Sequence, residues 1–196
     1  HKDKSIMTAL INPYSLADMN NKAPQPDGTK PYYDEELGTW VAPFIMAAIN
    51  TKNVHRTNFL NDYAYGDAFQ YDEMMMTGPG EKGEAMAKHV ANDKSLASDK
   101  GPKPGEGPSK EERENGFYDV LFVGQATNGD TLAVSVKGDK DPGYGSTCKM
   151  ISESALCLCQ DVTLPGGFYT PAAALGQNLI QRLEEKAGLT FAIESE

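Results

Sequence analysis

Apolar residues along the chain recur with two different periods, and the switches between them mark out most of the elements. Asp3 to Ile11 has helical spacing and stops before Pro13, and a Pro-, Asn- and Asp-rich stretch to about Glu36 then reads as a long loop, a length typical of lids and binding segments. Pro43 suits a helix start, with Ile45, Met46, Ile49 and Val54 on one side. Ala68 to Thr77 alternates as a strand, with Phe69, Tyr71 and Met75 on one face and Met74 and Met76 on the other. Bulk on both faces predicts an inner strand. Gly83 to Asp93 is weakly helical, with Met86, Ala87 and Val90 at helical spacing, and Ser98 to Pro108 is a Gly/Pro-rich surface loop. Ser109-Lys110-Glu111-Glu112 has the form of a capping box, and Gly116 ends the short helix it starts.

The clearest local signal is a hairpin. Asn128-Gly129 between two strand-like runs fits a two-residue type I′ turn, which sets Gln125 opposite Leu132, Val123 opposite Val134 and Leu121 opposite Val136. In that register Leu121, Val123, Leu132, Val134 and Val136 share the core face. A helix over Ser146 to Gln160 turns Met150, Ile151, Ala155, Leu158 and Cys159 inward. The last helix is capped by Thr170, takes Pro171 at its first position and closes at Gly188, with Leu175, Leu179, Ile180, Leu183 and Ala187 as its buried stripe. Leu189 to Ile193 alternates as a terminal strand. The expected class is α+β: helices over a largely antiparallel or mixed sheet.

Composition narrows the picture. At 196 residues the chain is long enough to bury a core, and one domain over 1–196 is expected. The net charge is −10 and no Lys/Arg block tracks along an element, so a nucleic-acid backbone would be repelled. No apolar run reaches the roughly 20 residues of a membrane span. Three cysteines in a Gly-rich chain give no disulfide framework, which points to reduced thiols and a cytoplasmic location. The sequence opens at His1 rather than Met, which suggests that the natural start lies upstream.

The strongest candidate for chemistry is Asp141-Pro142-Gly143-Tyr144-Gly145-Ser146-Thr147-Cys148-Lys149. It joins the hairpin to a helix start, where small residues and free amides favour a phosphate, a carboxylate or a developing oxyanion. Tyr144 is the candidate proton donor and Lys149 a candidate partner; Asp141, Gly143, Gly145, Ser146 and Thr147 would face substrate or cofactor. A plain turn with a helix cap explains the same residues. Cys148 sits where a helix dipole lowers a thiol pKa, but His1, His55 and His89 are not placed near it by sequence. Cys157 and Cys159 point about 200° apart on a helix, so no metal pattern forms and no metal is expected. Asn50 and Asn58, two turns apart, are candidate substrate contacts. Met46, Met74, Met75, Met76 and Met86, with Phe69, Tyr71 and Phe122, could line an adaptable apolar pocket or simply fill a core.

The Asp141–Met150 run, read with Gly166-Gly167-Phe168-Tyr169-Thr170-Pro171-Ala172-Ala173-Ala174-Leu175-Gly176, Trp40 to Asn58 and Pro104 to Phe117, resembles the C-terminal part of the saccharopine dehydrogenase-like oxidoreductases, including the trans-acting enoyl reductases. The blocks cover about Asn12 to Ile193. The resemblance implies the substrate and interdomain domain of a Rossmann-type two-domain enzyme, with NADP or NAD held mainly by an N-terminal domain that this sequence lacks. By the same resemblance the Asp141 loop lies where the two domains meet, and the partners are the enzyme's own Rossmann domain and a small apolar or acyl substrate. A homodimer and peripheral lipid association are both compatible with it. Only Arg56, Arg113 and Arg182 are present, too few for a tricarboxylate such as saccharopine, which favours a lipid- or polyketide-like substrate. The alternative is a non-catalytic, lipid-associated or scaffolding protein that retains the fold.

Overall fold

The computed structural model describes residues 4–18, 20–21, 23–93 and 105–195. The class is α+β, as expected, but the chain forms two compact units, His1–Gly101 and Pro102–Glu196, where the sequence predicts one domain. Each unit carries its own small antiparallel sheet and its own helices, so each closes a separate interior. No mixed sheet occurs among the described residues.

The first unit runs α1 (Lys4–Ile11), β1 (Tyr32–Asp34), β2 (Thr39–Pro43), α2 (Ala47–Leu60), β3 (Met74–Gly78) and α3 (Gly80–Asn92), with strand order β1-β2-β3. Val41 and Ala42 on the central strand are buried, as is Ala87 of α3. Three expectations fail here. The residues around Pro43 form a strand and α2 starts later; Ile45, Met46 and Ile49 are exposed, and α2 buries His55, Thr57 and Asn58 instead. β3 is a five-residue edge strand, not an inner one, and Met75 and Met76 are exposed. Met86 is exposed too, so Met75, Met76 and Met86 do not fill a core. The physical reason is the interior of this unit, which is built around buried polar side chains that carry no periodic apolar signal.

The second unit runs α4 (Lys110–Asn115), β4 (Tyr118–Gln125), β5 (Thr131–Gly138), α5 (Gly145–Gln160), α6 (Pro171–Arg182), a π-helical turn (Leu183–Ala187) and β6 (Leu189–Ser195), with strand order β4-β5-β6. The capping box at Ser109 and Glu112 is present, with both reciprocal hydrogen bonds made. Of the loop expected at 98–108, the portion 98–104 lies outside the described residues. The core is the expected stripe of the last helix, Leu175, Leu179, Leu183 and Ala187, packed with Cys157, Leu189 and half-buried Val136, Met150 and Phe191. Thr170 sits at the N-cap with extended backbone, but its side chain makes no capping hydrogen bond. Gly188 closes the run in the left-handed region at φ 75°. On α5, Ile151, Leu158 and Cys159 point outward, against expectation.

The hairpin exists, but its register is shifted by one. Ala126 donates its N–H to the Asp130 carbonyl at 2.8 Å and accepts from Gly129 at 3.0 Å, so the loop is the three residues Thr127, Asn128 and Gly129. Only Gly129, at φ 94°, takes positive φ; Asn128 instead binds Asp130 through both ends of its amide, at 2.7 and 3.1 Å. That is a type I turn followed by a left-handed glycine, not type I′. Val123 therefore opposes Ala133, Phe122 opposes Val134 and Val120 opposes Val136. Moving the pairing by one residue exchanges faces. Leu121 and Val123 do not share a face with Val134 and Val136, and both are exposed rather than core.

Candidate functional site

The segment from β5 into α5 is held by one carboxylate. Asp141 Oδ1 accepts the backbone N–H of Gly143 at 2.8 Å and of Tyr144 at 3.2 Å, while Oδ2 accepts from Tyr144 at 3.2 Å and from Gly145. These amides, that of Gly145 foremost, hold the Asp141 carboxyl below the usual carboxylate range, helped by Arg113. The three amides at the helix start are thus already matched by an anion of the chain itself. Gly145 is glycine for a steric reason, since a Cβ there would lie 2.7 Å from the Arg113 carbonyl; at Gly116 a Cβ would lie 2.7 Å from Asp141 Cα. The end of α4 and the start of α5 are locked together at backbone distance.

Around that joint the expected residues divide into two groups. Thr147 donates its hydroxyl to the Pro142 carbonyl at 2.7 Å, and Ser146 is fully buried with its hydroxyl 2.9 Å from that of Tyr118. Both are structural. Lys149 turns toward the end of the last helix, with Nζ 3.5 Å from the Ala187 carbonyl and 3.8 Å from Asp139, a favourable place for a cation. Tyr144 is different: it is 52 % exposed, lies against Gly107, and its hydroxyl bonds to no described residue.

Asn50 and Asn58 sit in the first unit with separate tasks, not on one polar stripe. Asn58, 3 % exposed, binds the Gly66 carbonyl and the Tyr65 N–H, each at 2.8 Å, and so ties down the turn after α2, where Asp62 and Tyr63 take positive φ. Asn50 donates to Glu73 at 2.9 Å, and the other oxygen of Glu73 accepts from the Tyr71 hydroxyl at 2.6 Å. Burial, then Glu73, raises the pKa of Tyr71 and keeps it a phenol.

The sequence reading missed a buried knot beside this pair. Gln25 Oε1 accepts from His55 Nε2 at 2.9 Å and from the Tyr71 N–H at 3.1 Å, while its amide nitrogen donates to the Tyr14 hydroxyl at 2.7 Å and the Phe69 carbonyl at 3.1 Å. Tyr14 donates onward to the Ala23 carbonyl at 3.1 Å, and its ring lies 4.5 Å from that of His55. Burial lowers the pKa of His55, so the imidazole is neutral and donates from Nε2. The knot straps the loop before β1 onto α2. Among the described residues no buried side-chain nitrogen or oxygen lacks a partner. A shallow depression of about 480 Å³ nearby is lined by polar groups, among them Asp18, Asn21, Tyr63 and Asp67. Among the described residues no cluster of His, Cys, Asp or Glu could hold a metal ion, and no helix is long and apolar enough to cross a membrane.

The chain has homologues named trans-acting enoyl reductase. It is 34% identical over 208 residues to Rv2449c of Mycobacterium tuberculosis, which bears that name provisionally, covering 92% of this chain and 50% of that protein. The Mycobacterium ulcerans trans-acting enoyl reductase is 30% identical, with 90% of this chain and 49% of that protein covered. The Mycobacterium bovis protein of the same name is 30% identical, with 92% and 50% covered. The chain thus spans about half the length of the curated relatives it matches. No family model matches it, and no solved structure does.

Proposed function

We propose that this chain is the substrate-side half of an NADP- or NAD-dependent enoyl reductase, a saccharopine dehydrogenase-like protein acting on an apolar, lipid- or polyketide-like acyl substrate. The observation that carries this reading is the identity of 34% to Rv2449c along 92% of the chain. The start of α5 does not suit a dinucleotide's phosphates, because the amides that would attract them are engaged by Asp141, whose charge repels them. In this reading the cofactor is held mainly by the further half that the relatives possess, and that half is the partner of this one.

Reducing a carbon–carbon double bond takes a proton as well as a hydride. In this reading Tyr144 is the proton donor, an exposed phenol on a joint that backbone contacts and the Asp141 cap hold still, while Lys149 serves the end of the last helix. The test uses the complete natural protein, with nucleotide oxidation followed on a long-chain trans-2-enoyl thioester. Tyr144→Phe should lower kcat by about a hundredfold or more, the usual size of general-acid catalysis, with an unchanged melting temperature and nucleotide affinity. A variant that melts earlier but turns over normally would return Tyr144 to a structural role. Failure of the complete protein to reduce any enoyl thioester would overturn the reading itself.

A further inference from the structure

β4 is an eight-residue edge strand of the second unit and pairs on one side only among the described residues. The other edges are blunted. β1 has three residues, β3 has five, and β6 carries a register irregularity opposite Ala133 and Val134 with the charged Glu194 inside it. Such features are how native sheets avoid joining other chains. β4 has none of them: its pairing with β5 is continuous from Tyr118 to Gln125, it contains no proline, and four successive apolar residues, Val120 42%, Leu121 39%, Phe122 43% and Val123 43%, are exposed. Its one charge, Asp119, is matched within the same copy by Lys137 at 3.2 Å.

We propose that β4 joins β4 of a second copy of this chain, antiparallel across a two-fold axis normal to the sheet, giving a continuous six-stranded sheet. The hydrogen bond from Ala126 to Asp130 fixes the alternation along β4, so Phe122 and Gly124 direct their peptide groups at β5 while Asp119, Leu121 and Val123 turn theirs outward. With that axis, residues directly opposite must have numbers that sum to an even value, because both must lie on one face. Two registers keep most of the strand paired. In one, Asp119 faces Val123 of the second copy, setting a charge against an apolar side chain. In the other, Asp119 faces neutral Gln125, Leu121 faces Val123, and Phe122 meets its own counterpart. Charge and polarity choose the second register, which places no like charges opposite each other in a chain of net charge −10. A strand edge is small beside the roughly 1,200 Å² of a standard stable interface, so the dimer should be weak, on the order of 10 µM. Added salt should strengthen it by screening the net charge.

Sedimentation of the complete natural protein over a concentration series tests this, with Leu121→Lys, Val123→Lys and the double variant Leu121→Lys/Val123→Asp, each checked for an unchanged circular dichroism spectrum and melting temperature. The expected result is a monomer–dimer equilibrium weakened at least about tenfold by either single change. The double variant should recover it, since the lysine introduced in each copy then faces the aspartate introduced in the other, on both sides of the axis. Amide exchange at Leu121 and Val123 should slow as concentration rises. A chain that stays monomeric, a dimer indifferent to the single changes, or a double variant no better than the singles would each overturn the proposal.

Discussion

His55 shows how much a single buried side chain can decide. It is 3 % exposed, gives its Nε2 proton to Gln25, and is packed between the rings of Tyr14 and Phe69. Protonating it in place would charge a buried group, so its folded pKa lies below the ordinary value. The unfolded chain accepts a proton near pH 6.5, while the folded chain resists it. Stability from this residue is therefore whole above about pH 6.5 and drains away as pH falls below it, at no more than about 1.4 kcal/mol per pH unit for one proton. Urea unfolding at about pH 7.5 and 5.5 should show the loss, and His55→Gln should remove that part of the slope, with the carboxylates common to both proteins as the reference. No local pattern announces this knot. Its members Tyr14, Gln25, His55 and Tyr71 come from separate stretches of chain, and only the tertiary fold brings them together.

Among the elements, those fixed by local stereochemistry are legible in the sequence and those fixed by packing are not. The Ser109 capping box, Pro171 and Gly188 around the last helix, and the glycine turn of the hairpin all act within a few residues, and all are found in place. The register of that hairpin departs from the expected one because Asn128 keeps a negative φ while binding Asp130, which adds one loop residue. In the first unit the strand Thr39–Pro43 is hidden because Pro43 also suits a helix start. β3 is shorter than its pattern because Phe69 and Tyr71 continue the alternation of the methionines without a strand to pair with. For the candidate site, the sequence marks the joint as a turn into a helix start, but not Asp141 as the group that fills it. The corrected register makes a direct comparison. Leu179→Ala, in the last-helix stripe at 9 % exposure, should cost about 2–5 kcal/mol, whereas Leu121→Ala, at 39 %, should cost less than about 1 kcal/mol. Equal losses in chemical denaturation would restore Leu121 to the core.

On the scale of the whole molecule, a start of α5 already filled by the chain's own carboxylate predicts that this chain alone binds NADPH no better than millimolar by calorimetry, about a thousandfold weaker than a micromolar site. Micromolar binding would require a phosphate site elsewhere in the chain. The Asp141 carboxylate has a second consequence. It is a counter-ion tethered to its own site, so no dissolved anion can outcompete it, and the joint between β5 and α5 keeps its form whatever the buffer. Asp141→Ala would turn a permanent tenant into a vacancy. The melting temperature of that variant should then rise with sulfate at constant ionic strength, where the parent is indifferent: a built-in cap would have become a ligand-dependent one.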